Sequence, residues 1–226
     1  MCITEVEIPK YSLGEEIWNA ISHGLGAIFG IVALVLMLIK VIPTGDPFEI
    51  ASALVYGISL IILFTISCVY HALAKNNGKR VLRILDHNSV FILLMGSYVP
   101  YTLVALRPHN IWNWGTGVVA YVILGIVLVS CTLGIIFNSI NIKKYAWLSM
   151  TIYIVAGWAI IIAIFALWQT IGMAGTWLLI SSGIVYTIGA IIYGYGKKGA
   201  YIHTIWHFFV LIAAILMFLS IYVYVL

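Results

Sequence analysis

Three histidines in strongly apolar stretches are the residues of this chain best suited to metal chemistry. His203 and His207 stand four residues apart at the start of the last apolar segment, and His71 lies near the end of an earlier one. Residues at i and i+4 share one face of a helix, so this pair can offer two nitrogens to one ion. His71 would supply a third nitrogen, and a fourth position left to water is typical of a catalytic zinc site. Imidazole ligands without a cysteine or carboxylate cluster favour zinc.

Two further polar side chains could act beside such an ion. Asp86 is the only acidic residue from position 50 onward. Zinc lowers the pKa of a bound water to roughly 7, and a nearby carboxylate could orient that water or take its proton. Ser67, one helical turn before His71, could hydrogen-bond the water or a substrate carbonyl oxygen. A polar stripe early in the first apolar segment could brace the site from a neighbouring helix, and it consists of Glu15, Asn19 and His23.

Each of these side chains also has a purely structural interpretation. His71 or His203 could extend toward lipid headgroups, as long polar-tipped side chains do near membrane surfaces. Asp86 could pair with Arg83 or cap its helix, and Ser67 could hydrogen-bond a carbonyl of its own helix. The H-x-x-x-H pair together with a third histidine at matching depth favours the metal site, because ionisable residues inside a bilayer usually mark a function.

Membrane-spanning helices must position these residues. The chain has 226 residues, of which 64% are hydrophobic and 8% are charged, and this composition predicts an all-α integral membrane protein. Gly, Pro and charged residues divide it into seven apolar segments, each near the roughly 20 residues that a helix needs to cross a bilayer. The predicted segments are 17–42, 49–74, 84–106, 112–137, 145–168, 175–195 and 203–225. A short N-terminal segment, 1–16, thus precedes a transmembrane domain, 17–226.

The basic residues predict the orientation of this seven-helix bundle. If the N-terminus is cytoplasmic, nine Lys and Arg residues lie on the inner side, and only Lys40 and Arg107 lie outside. The nine are Lys10, Lys75, Lys79, Arg80, Arg83, Lys143, Lys144, Lys197 and Lys198. The positive-inside rule therefore predicts a cytoplasmic N-terminus and an extracellular C-terminus in the plasma membrane. In this orientation the polar residues named above all lie toward the cytoplasmic side.

Five sequence motifs, in order along the chain, resemble the hemolysin III family. They are E-x-x-x-N-A-I-S-H-G-L-G at Glu15–Gly26, S-C-V-Y-H at Ser67–His71, L-D-H-N-S at Leu85–Ser89, G-S-Y-V-P-Y at Gly96–Tyr101 and H-T-I-W-H at His203–His207. This family is the bacterial branch of the progestin and adipoQ receptor family, which includes the adiponectin receptors. The resemblance implies seven helices and a zinc ion near the inner face, held by His71, His203 and His207, with Asp86 and Ser67 around its bound water. The wider superfamily includes alkaline ceramidases, which cleave a lipid amide.

Three functions are compatible with this sequence. The leading hypothesis is a zinc-dependent hydrolase of a lipid amide or ester inside the membrane. The second is a non-enzymatic regulator of membrane lipid or membrane-energy homeostasis that uses zinc structurally, and the third is a pore-forming cytolysin. The expected partner is a membrane lipid or acyl-lipid substrate. The basic residues form no patch suited to nucleic acid, and nothing in the sequence indicates a soluble partner.

Overall fold

The computed structural model describes residues 3–195 and 199–226, and this part of the chain is helical apart from its connections. The six α-helices are α1 (Leu13–Val41), α2 (Pro47–Ala72), α3 (Asn77–Pro100), α4 (Val118–Gly157), α5 (Ile164–Tyr195) and α6 (Ile202–Ser220). Short 3-10 helices cover Ile3–Glu5, Ile42–Thr44, Ile111–Asn113 and Ala159–Ala163. A π-helix, Tyr101–Leu106, continues α3 beyond Pro100, and a second one, Ile221–Val225, continues α6.

Side-chain caps fix where the first helices begin. The Ser12 hydroxyl accepts the Glu15 N–H while the Glu15 carboxylate accepts the Ser12 N–H, which is a complete capping box. Helix α1 therefore begins at Leu13, four residues before the start of the predicted first segment. Asp46 caps α2 and is followed by Pro47, a residue suited to the first helical position. Asn76 caps α3 through the Lys79 N–H.

Five helical stretches in the described part of the chain are long and apolar enough to cross a membrane. They are Leu13–Thr44, Pro47–Ala72, Asn77–Leu106, Val118–Gly194 and Ile202–Val225. The prediction of an all-α protein with membrane-spanning helices is thereby confirmed. The fourth stretch is 77 residues long and contains most of the fourth predicted segment, all of the fifth and all but the last residue of the sixth. It begins at Val118 rather than at residue 112, because Gly115 and Gly117 adopt positive φ angles and form a turn.

This long stretch is not a single straight helix. Asn141 has an extended backbone (φ −165°, ψ 101°), and Gly172 has φ +69° with ψ 178°. The Ser149 hydroxyl donates to the Asn138 side-chain carbonyl over 2.7 Å. A straight α-helix would separate two such positions by about 16 Å along its axis, so the chain turns back at Asn141. The indole N–H of Trp158 similarly bonds the Thr187 hydroxyl over 3.0 Å, on the far side of Gly172.

Small residues allow α1 and α2 to pack closely. A Cβ atom built on Gly30 of α1 would lie 3.2 Å from the backbone nitrogen of Ile61, and one built on Gly57 of α2 would lie 3.1 Å from the Cα atom of Leu34. Such close approach is typical of membrane helices with small residues at the interface. It holds the end of α2 beside the start of α1. We call this end of the bundle, where α1, α3 and α6 begin and α2 ends, the N-terminal face.

Candidate metal centre

The three predicted histidines meet at the N-terminal face. The Nε2 atom of His203 lies 3.3 Å from Nε2 of His71 and 3.1 Å from Nε2 of His207. One ring nitrogen from each residue falls within 4.8 Å of the other two, a grouping that could hold a metal ion. Tetrahedral zinc with Zn–N distances near ~2.05 Å separates its nitrogen ligands by about 3.3 Å. The observed spacings match that value, and His71 and His207 are almost wholly buried.

Hydrogen bonds on the far side of two rings direct their Nε2 atoms toward each other. The Nδ1 atom of His71 lies 2.6 Å from a carboxylate oxygen of Glu16, whose other oxygen lies 2.6 Å from the Lys79 ammonium. The Nδ1 atom of His207 lies 3.4 Å from the Ser22 hydroxyl, which itself donates to the Asn19 carbonyl. Each Nδ1 can therefore donate a proton outward and leave an Nε2 lone pair facing the cluster. A carboxylate behind a histidine is the usual second layer of a metal site.

Two residues of the polar stripe on α1, Asn19 and His23, lie against the histidine cluster. The side-chain carbonyl of Asn19 accepts the Thr204 hydroxyl over 2.6 Å, and its amide lies 3.4 Å from Nδ1 of His71. The His23 ring stacks on His207 at a centroid distance of 3.7 Å, and both of its buried nitrogens lack a hydrogen-bond partner in the described chain. Asn19 and His23 thus contact the cluster directly.

Glu15 lies at the edge of this arrangement, and its neighbour Glu16 contacts His71. The Glu15 carboxylate is used by the capping box and by the backbone N–H of Tyr201, which it accepts over 2.8 Å. Consecutive helical residues differ by about 100° around the axis, so Glu16 faces α2. The S-x-x-E pattern at Ser12–Glu15 was the available sign that Glu15 would serve the cap. Glu16 was not predicted.

Asp86 and Ser67 lie on α3 and α2, and no hydrogen bond or ion pair joins either to the three histidines in the described chain. The carboxylate of Asp86 lies 3.8 Å from Nδ1 of the adjacent His87 ring, and the alternative ion pair with Arg83 is not formed among the described residues. The Ser67 hydroxyl is buried and has no partner there, so the alternative bond to its own helix is also not formed. Their roles beside a metal ion remain predictions.

Tyr11 is a neighbour of the cluster that the sequence did not indicate. Its ring stacks on His203 with a centroid distance of 5.0 Å and an interplanar angle of 15°, and it lies 5.8 Å from the His71 ring. Burial, together with nearby phenols, holds the pKa of the Tyr11 hydroxyl above its ordinary value, so the group stays neutral at physiological pH. It precedes the first apolar segment and belongs to no motif, so no sequence pattern predicts its contact with the cluster.

An apolar cavity lies deeper in the bundle than the histidine cluster. Its wall is formed mainly by α3, α4, α5 and α6 and by the short helical segments that follow α3 and α4, with one contribution from α2, and it includes Leu63, Val90 and Val210. Each of these three residues lies about one turn deeper in the bundle than a predicted site residue on the same helix, namely Ser67, Asp86 and His207. The cavity therefore begins where the polar layer ends.

Comparison with known proteins gives consistent matches over nearly the whole chain. A family model described as "Haemolysin-III related" matches residues 11–218. The chain is 34% identical over 214 residues to the Hemolysin-3 homolog of Bacillus subtilis, which covers 95% of this chain and 96% of that protein. It is 34% identical over 212 residues to Hemolysin-3 of Bacillus cereus, at 94% and 92% coverage. A weaker match, 23% over 190 residues, is to the human Monocyte to macrophage differentiation factor, at 80% and 73% coverage.

Proposed function

This chain belongs to the hemolysin III family of membrane proteins, and on that premise we propose that it crosses the plasma membrane seven times with a cytoplasmic N-terminus. The backbone breaks at Asn141 and Gly172 support this count, because they divide the 77-residue stretch into three lengths that can each cross. The basic residues support the orientation, although Lys197 and Lys198 lie outside the described residues.

Cysteine labelling tests this topology. In a background without native cysteines, we expect Asn113→Cys to react with an impermeant maleimide added to intact cells. Lys144→Cys should react only after permeabilisation, since it would face the cytoplasm. Labelling of Lys144→Cys in intact cells would contradict the proposed orientation.

We propose that His71, His203 and His207 hold a zinc ion and that the protein hydrolyses an amide or ester bond of an acyl lipid. The main observation behind this proposal is that three Nε2 atoms converge in one layer, with Glu16 and Ser22 behind two of the rings. Three nitrogen ligands leave one position open, as in catalytic rather than structural zinc sites. When bound, zinc lowers the pKa of a coordinated water to about 7 and so supplies a nucleophile at neutral pH.

The chain's own residues would complete this chemistry. Asp86 would accept the proton of the attacking water and deliver it to the leaving amine or alcohol, which is ordinary general acid–base work for a carboxylate. Ser67 has a buried hydroxyl without a partner in the described chain, and it would donate a hydrogen bond to the substrate carbonyl oxygen. The apolar cavity one turn deeper would hold the acyl chain, and this supports a lipid rather than a soluble substrate.

Turnover of defined lipids tests the hydrolase. Purified protein in nanodiscs would be incubated with ceramide, N-acyl phosphatidylethanolamine and diacyl phospholipids, and the released fatty acid would be measured by mass spectrometry. We expect the wild type to release fatty acid from one of these classes and Asp86→Asn to lose that release. Glu49→Gln is the matched control, because Glu49 bonds Thr44 near the opposite end of α2. Equal release by wild type and Asp86→Asn would contradict the mechanism.

A non-enzymatic regulator with structural zinc is the second candidate, and the contacts between helices favour it. The Glu16–His71 contact joins α1 to α2, and the Thr204–Asn19 hydrogen bond joins α6 to α1. A metal at this junction would hold three helices together. Zinc removal would then lower the thermal unfolding midpoint strongly, while the zinc-loaded protein would release no fatty acid from any lipid class.

A further inference from the structure

The N-terminal segment lies across the metal centre instead of extending away from it. Residues 3–12, which we call the strap, lead from the short 3-10 helix Ile3–Glu5 to the Ser12 cap of α1. The 3-10 helix packs against α3, and Tyr11 at the other end of the strap stacks on His203. We propose that the strap is a gate over the N-terminal face of the metal centre, with Tyr11 as its closing group. This inference rests on the metal centre proposed above.

Tyr11 is placed to close the centre because it covers two of the three histidines. Its ring is nearly parallel to the His203 ring and tilted against the His71 ring. A ring in this position shields the polar layer from the water beyond the N-terminal face. Lifting it would expose the histidines from that face.

The strap is held at both ends, by a helix cap at one end and by several separate contacts at the other. Its C-terminal end is fixed by the capping box of α1. Toward its N-terminal end, Val6 is buried, the Arg80 guanidinium donates to the Thr4 carbonyl, and Glu7 forms an ion pair with Lys143 at 2.9 Å. Both partners of that ion pair are exposed, and exposed pairs contribute little and are screened by salt. In the proposed opening the strap pivots at Ser12, which requires Val6 to leave its buried position and the Arg80–Thr4 and Glu7–Lys143 contacts to separate.

Such a gate separates two routes to the centre. The apolar cavity would admit the acyl chain from within the bilayer, while the strap would control passage of water and metal through the N-terminal face. A closed strap protects the bound ion between turnovers. The proposal thus predicts that the strap sets the rate of exchange at the histidines without supplying a ligand itself.

Two rate measurements on the full-length protein test the gate. The first is zinc release to an excess of a chromogenic chelator. The second is carbethoxylation of His203 by diethyl pyrocarbonate after metal removal, mapped by peptide mass spectrometry. For Tyr11→Ala we expect both rates to rise by about tenfold, which corresponds to ~1.4 kcal/mol of lost ring contact. Tyr11→Phe keeps the ring and should restore the wild-type rates.

Two further variants separate gating from damage to the site. Val6→Asp buries a charge on the strap five residues away from Tyr11, so it should lift the strap and reproduce the Tyr11→Ala rates. Lys10→Gln changes an exposed residue of the same strap and should leave both rates unchanged. Wild-type rates in Tyr11→Ala and Val6→Asp would overturn the gate while leaving the metal centre intact. A wild type that contains no zinc would refute the metal centre instead. The carbethoxylation rates of the variants would then still show whether the strap limits access to His203.

Discussion

Glu16 offers the sharpest perturbation of the proposed centre, because its carboxylate joins a histidine to a buried lysine. One oxygen lies 2.6 Å from Nδ1 of His71 and the other lies 2.6 Å from the Lys79 ammonium. Glu16→Gln keeps the size of the side chain and removes its charge. We expect two separable consequences, one for metal affinity through His71 and one for stability through Lys79.

The magnitudes follow from these two contacts. Loss of a carboxylate behind a metal-binding histidine typically weakens affinity by about 10- to 100-fold. The Lys79 side chain is only 3% exposed and would lose its carboxylate partner. Leaving a buried charge without its partner lowers the free energy of unfolding by about 3–5 kcal/mol. We expect the lower end of that range because the Glu16 side chain is 15% exposed. The Tyr70 ring, 5.3 Å from the ammonium, offsets part of this cost.

A double variant separates the two effects. Glu16→Gln with Lys79→Met removes the stranded cation, so the thermal unfolding midpoint should recover while zinc affinity stays low. Affinity would be measured by competition with a chelator, and Glu15→Gln is the matched control on the adjacent carboxylate. We expect Glu15→Gln to keep the helix cap, because the capping box accepts Glu or Gln at this position, and to leave zinc affinity near the wild-type value. Equal zinc affinity in Glu16→Gln and the wild type would refute the assignment of Glu16 as the support of His71.

Three further predictions follow from the same structure. Asp86→Asn should abolish lipid turnover while keeping bound zinc and the wild-type melting temperature; loss of zinc in this variant would mean that Asp86 is a ligand. Gly57→Ala should destabilise the α1–α2 contact by about 1–3 kcal/mol, since its Cβ meets the Leu34 backbone, whereas Gly125→Ala, with nothing within 4 Å, should be neutral in thermal melts. Zinc removal by a chelator should lower the thermal midpoint, and added zinc should restore it, because a ligand bound only to the folded state stabilises that state; an unchanged midpoint would argue against a buried metal.

The sequence predicted the site best where the spacing of residues along a helix and their depth in the membrane both point to the same place. His203 and His207 share a helix face because they are four residues apart, and His71 was placed at the same depth by the order of the apolar segments. The structure brings the three rings together as expected. This part was predictable because hydrophobic segment length fixes depth and helix periodicity fixes direction.

The remaining site contacts depended on details that hydrophobicity does not encode. Glu15 and Glu16 are adjacent and of the same residue type, so residue type alone does not predict which of them faces His71. The capping box at Ser12 engages Glu15 and leaves Glu16 to contact His71. Tyr11 lies outside every apolar segment, and its contact with His203 depends on how the strap folds back. The start of the fourth segment was placed too early at Trp112, because aromatic residues near a membrane surface score as apolar although this stretch forms a turn.

The metal content of the purified protein tests the central claim most directly. Elemental mass spectrometry would compare the wild type with His207→Gln, after size-exclusion chromatography shows that both are folded. We predict about one zinc per wild-type chain and little in the variant, because three nitrogen ligands hold the ion and the variant removes one. Absence of metal from both proteins, or equal zinc in both, would contradict the proposed centre and the hydrolase that depends on it.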